Sequence, residues 1–75
     1  MTREERAAMA IDMYHIHIHA ARENIAAAAE ERRNRDRAAA VYFLDNVAFH
    51  RVAAAGWLKR YKRAHSKMIA AEASL

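Results

Sequence analysis

The stretch DMYHIHIHAARE, residues 12 to 23, holds the densest collection of ligating side chains in the sequence. Written as a strand, His15, His17 and His19 would share one face, the HxH arrangement that binds metals in sheets. Written as a helix, His17 turns away, and Asp12, His15, His19 and Glu23 fall on one face with D-x2-H-x3-H-x3-E spacing. That spacing resembles the side-chain geometry of helical zinc and di-iron sites. A second chemistry is open to the same residues, because histidine changes charge in the physiological range and can act as a proton switch. Against both stands a plainer reading. His, Asp and Glu are the residues a helix places between buried faces, and this polar-stripe reading outweighs a metal site, so no cofactor is expected.

The elements around the stretch decide between strand and helix. Thr2 and Glu5 form a T-x-x-E capping box, which predicts a helix beginning almost at the first residue. From there Ala7, Ile11, Tyr14, Ile18, Ala21, Ile25 and Ala28 recur at four-three spacing, a heptad seam. Met9, Met13, Ile16, Ala20 and Ala27 form a second row on roughly the opposite side, so the helix presents apolar surface twice. The period-two look of YHIHIHA is therefore local, inside a longer region of period 3.5.

The polar run EERRNRDR, residues 30 to 37, predicts a break, and Asp36 is well placed to cap a second helix. In that helix Val41, Leu44, Ala48, Val52 and Ala55 make one stripe, with Tyr42, Phe43, Val47 and Phe49 around it. Such an apolar segment suits the centre of a bundle. Gly56 fits a helix-ending position with left-handed backbone. Beyond it Trp57, Tyr61, Ala64, Met68, Ala71 and Leu75 form the apolar stripe of a basic amphipathic helix. The expectation is a single all-α domain over residues 1–75, with helices near 3–32, 37–55 and 57–73. Its architecture would be a small helical bundle, or a helical hairpin plus a C-terminal amphipathic helix, and oligomeric.

Composition explains why oligomeric. A 75-residue chain buries only about 60% of its unfolded surface and needs disulfides, metals or self-association to be secure. Cysteine is absent, which removes the first and all thiolate chemistry. Twenty of the hydrophobic residues are alanine, so the potential core is thin, while the lack of proline and the single glycine favour long helices. No apolar run reaches the ~20 residues of a membrane span, and MTREERAAM lacks the order of a signal peptide. A soluble, intracellular, cytoplasmic chain with no membrane partner is expected.

For catalysis only Ser66 and Ser74 offer a hydroxyl nucleophile near histidine, with no glycine-rich loop to hold a substrate, and no enzyme is expected. The leading function is a helical interaction or assembly protein that contacts itself, a larger protein, or both. Its interface residues would be Ile11, Tyr14, Ile18 and Ile25 on one seam and Met9, Met13 and Ile16 on the other. The alternative is DNA or RNA binding. Residues 1–36 carry six Lys and Arg against seven acids, residues 37–75 seven against two, and Lys59, Arg60, Lys62, Arg63 and Lys67 lie in one acid-free run with aromatics interleaved. A helix-turn-helix with Gly56 at the turn fits poorly, because Arg51 and Lys62 stand where apolar residues belong.

Overall fold

The computed structural model describes residues 1–74, and it is all-α: α1, Arg3–Arg33, and α2, Arg37–Ala73, joined by a short turn into a helical hairpin. Its extents are 61 × 17 × 13 Å, the long dimension set by α2.

Local chemistry fixes both helix starts. At α1 the Thr2 hydroxyl accepts from the Glu5 N–H at 3.0 Å, and the Glu5 carboxylate accepts from the Thr2 N–H at 3.1 Å, the full reciprocal box. At α2 the Asp36 carboxylate accepts from the Ala39 N–H at 3.0 Å. Between them the turn closes as a Schellman motif. The Asp36 N–H donates to the Glu31 carbonyl and the Arg35 N–H to the Arg32 carbonyl, at 2.9 and 3.0 Å. Arg35 occupies the left-handed position, φ 59°, which glycine ordinarily fills and which costs a side-chain-bearing residue roughly 1–2 kcal/mol.

The two helices run antiparallel, with His17 meeting His50 and Asn24 meeting Asn46 across the seam. The buried side chains are Ala7, Ala10, Ala21 and Ala28 from α1 and Ala40, Val47 and Ala54 from α2. Ala7, Ala21 and Ala28 lie on one seven-residue repeat and Ala40, Val47 and Ala54 on another, a spacing that keeps each seam facing its partner. Alanine lets two helices approach closely over their whole length. It also leaves little transferred apolar area, and no large side chain is fully buried among the described residues.

Three expectations change here. The seam of α1 runs through Ala10, His17 and Asn24 as well as Ala7, Tyr14, Ala21 and Ala28, while Ile11 and Ile18 sit half-buried on its flank and Ile25 is exposed. The narrow Ala-lined contact takes the small or pairing residue at each level and leaves the branched one at the edge. Gly56 does not end a helix: α2 continues through it, and no glycine has positive φ. A mid-helix glycine costs about 1 kcal/mol relative to alanine. The seam continuing from Ala54 to Trp57, Tyr61 and Ala64 outweighs that, so the expected second and third helices are one. Finally, Val41, Leu44, Ala48, Val52 and Ala55 are all exposed. In a hairpin each helix has one partner, and this stripe points away from it.

Candidate functional site

The histidine stretch divides by helix geometry. Asp12, His15, His19 and Glu23 all point outward and are exposed. His19 Nε2 pairs with Glu23 Oε1 at 2.9 Å, a solvent-facing i,i+4 contact. Among the described residues no group of three His, Asp or Glu side chains converges as a metal would require. His17 turns the other way, into the seam, where its Nδ1 lies 2.9 Å from His50 Nδ1. One of these nitrogens must carry the proton and donate while the other accepts. Phe49 presents an edge to both rings, with centroids at 6.4 Å from His17 and 5.2 Å from His50. One level nearer the turn, Asn46 donates to Asn24 at 3.3 Å while Asn24 donates to the Ala20 carbonyl at 2.8 Å. These two polar rungs were not foreseen. The signal for them was positional, since His17 and Asn24 stand seven and fourteen residues after Ala10.

The residues expected at a protein interface separate likewise. Ile11, Met13, Tyr14 and Ile18 are half-buried against α2, whereas Met9, Ile16 and Ile25 remain exposed. At 100° per residue, Met9, Met13 and Ile16 lie on the same side of the seam as the Asn24–Asn46 rung. On that side α2 contributes Tyr42 and Phe49, 62% and 65% exposed, beside Ile16 at 57%. On this side Ala20 and Asn46 stand between Ile16 and Tyr42, and Glu23, seven residues after Ile16, borders the band toward the turn. Ile11, Ile18 and Ile25 flank the opposite edge with Leu44 and Leu58, and Arg51 interrupts that edge.

The basic residues are also redistributed. Lys59, Arg60, Lys62, Arg63 and Lys67 are all exposed. Only Arg60, Arg63 and Lys67 face a groove of about 210 Å³ at the open end of the hairpin, and there they meet Arg3 and Arg6 from the start of α1. The floor is apolar, made by Met9, Ala10, Trp57 and Ala64. The Arg60 guanidinium lies 4.4 Å from the Trp57 ring centroid, a cation–π contact. No acid lines the groove, and Glu5 nearby is engaged in the cap. Lys59 and Lys62 project elsewhere on α2. Tyr61, half-buried in the seam, stacks on His65 at 5.5 Å. In the expected C-terminal stripe Trp57, Tyr61, Ala64 and Met68 are half-buried and Ala71 is exposed, while Leu75 lies outside the described residues.

The fold and its surfaces thus define an alanine-seamed antiparallel hairpin with exposed Ile16, Tyr42 and Phe49 on one side and a cation-rimmed groove at the open end. Comparison with known protein families, curated proteins and solved structures finds no match. No helix among the described residues is long and apolar enough to cross a membrane.

Proposed function

We propose that this chain is a small non-enzymatic helical assembly protein that self-associates through the face carrying Met13, Ile16, Tyr42 and Phe49. One observation carries the reading. The hairpin places alanine on its own seam and holds large apolar side chains outward, with Ile16, Tyr42 and Phe49 exposed on the same side of the two helices. Aromatic and methionine side chains, with charge depleted at the centre, are the composition of interface cores. A stable interface needs about 800 Å² from each partner, so the exposed patch would be the centre of a contact that extends over neighbouring polar surface along the 61 Å hairpin. The energetic motive is the thin core, because a second hairpin laid on this face turns half-exposed rings and branched chains into buried ones at roughly 25 cal/mol per Å².

The test is the mass in solution across a tenfold dilution. Self-association predicts an assembly of two or more chains at the top of the range that shifts toward the single chain on dilution. A single chain at every concentration refutes it.

A further inference from the structure

We propose that the groove at the open end of the hairpin is a binding site for single-stranded nucleic acid, with phosphates held by Arg3, Arg6, Arg60, Arg63 and Lys67 and a base placed against Trp57. The proposal does not depend on self-association.

Five cations from two helices converge on this groove, and among the described residues none of them forms an ion pair. No direct ion pair offsets their mutual repulsion, and the nearest acids are Glu4 and Glu5 in the first turn of α1. The positive end of the α1 dipole, beside Arg3, adds to the same field. A polyanion is the partner that such a site fits by charge, and four of the five are arginine, whose planar fork grips phosphate in bidentate fashion. On α2, Arg60, Arg63 and Lys67 follow i, i+3, i+7 spacing, a row of roughly 10 Å at 1.5 Å rise per residue, which suits a chain of charges better than a single anion.

The floor narrows the class further. An acidic peptide needs only the cations, whereas here an indole lies between the two cation rows. A positive groove with an aromatic side chain on its floor is the pattern that tracks a sugar–phosphate strand and stacks its bases. At about 210 Å³ the groove is smaller than the usual 300–1,000 Å³ of a site that swallows a whole ligand. It has room for one ring system of a strand that passes over it. The Arg60 guanidinium lies over the Trp57 ring, so the base would stack on that guanidinium or displace it toward a phosphate. The hollow at the turn end, lined by Arg32, Arg35 and Arg37, lacks any aromatic residue and has Glu31 and Asp36 close in sequence, so it does not make the same case.

Trp57 is the only tryptophan, so its emission reports on this groove alone. A single-stranded oligothymidylate titrated into the full chain at low salt should quench Trp57 and raise the anisotropy of a labelled strand together. Binding should weaken with salt at a log–log slope of roughly −2 to −3.5 for three to five phosphate contacts. Arg3→Gln/Arg6→Gln and Arg63→Gln/Lys67→Gln should each weaken binding at least about tenfold, roughly one decade of affinity. Lys59→Gln/Lys62→Gln, off the groove, should change it much less. Circular dichroism of these surface variants confirms that the helices persist. Absence of binding at low salt overturns the site. Loss on Lys59→Gln/Lys62→Gln with the groove pairs silent moves binding elsewhere and overturns it too. Equal affinity for duplex DNA or polyglutamate, or binding that leaves Trp57 emission unchanged, overturns the assignment to a single strand with a stacked base.

Discussion

Replacing Ile16 with aspartate is the sharpest perturbation of the proposed assembly face. Ile16 is 57% exposed in the hairpin. Full burial of an isoleucine is worth about 1.5–3 kcal/mol, so its outward part holds about 1–1.5 kcal/mol that only a second copy can realise. A twofold interface uses the position twice, giving about 2–3 kcal/mol per dimer. By itself that raises the dissociation constant about 30- to 150-fold. An aspartate closed into the interface without a partner adds the cost of an uncompensated charge, so a rise of at least about 100-fold is expected. The hairpin itself should lose only about 0.5–1.5 kcal/mol, the inward share of the same side chain. Sedimentation velocity over a dilution series reads the first quantity and urea unfolding the second. Ile25→Asp is the matched control, 42% exposed but on the far edge of the seam. If Ile16→Asp associates like the parent chain while its helices persist, the face is wrongly assigned. If Ile25→Asp dissociates the assembly and Ile16→Asp does not, the isoleucine edge is the interface instead.

Three further expectations concern the hairpin itself. Gly56→Ala should stabilise it by about 0.5–1 kcal/mol, because the site is mid-helix and an added Cβ meets nothing within 4 Å; a lower melting temperature contradicts this. Ala54→Leu should cost about 1–3 kcal/mol by overpacking a seam position only 2% exposed, lowering the melting temperature by several degrees; an unchanged value would mean the helices are not in close contact there. A double-mutant cycle of His17→Ala and His50→Ala, read by urea unfolding, should give a coupling of about 0.5–1.5 kcal/mol for their hydrogen bond, and zero coupling rules out the rung.

What could be read from the sequence, and what could not, follows the range of the interactions. Thr2 with Glu5 and Asp36 with Ala39 are contacts three residues apart, so both helix starts were legible as local chemistry. The seam was legible in its period but not in its choice of residues. Hydropathy favours Ile11, Ile18 and Ile25, yet Ala10, His17 and Asn24 face α2, because His17 finds a partner 33 residues away and Asn24 one 22 away. A polar side chain inside a contact is acceptable only when its partner arrives, and that depends on the register of the hairpin. Gly56 misled for a related reason. Glycine marks a helix end locally, but the continuing contact of Trp57 and Tyr61 with α1 decides the matter over a longer range. The basic residues illustrate the same dependence at the groove. Sequence proximity grouped Lys59 and Lys62 with Arg60, Arg63 and Lys67, whereas antiparallel packing separates the first two and brings in Arg3 and Arg6 from the other end of the chain. The groove's charge is thus a product of register: a shift of one helical turn between α1 and α2 would separate the His17–His50 rung and move Arg3 and Arg6 along Arg60, Arg63 and Lys67 together. The polar rungs and the tightly bonded turn at Asn34–Asp36 share the alignment on which the cation cluster depends.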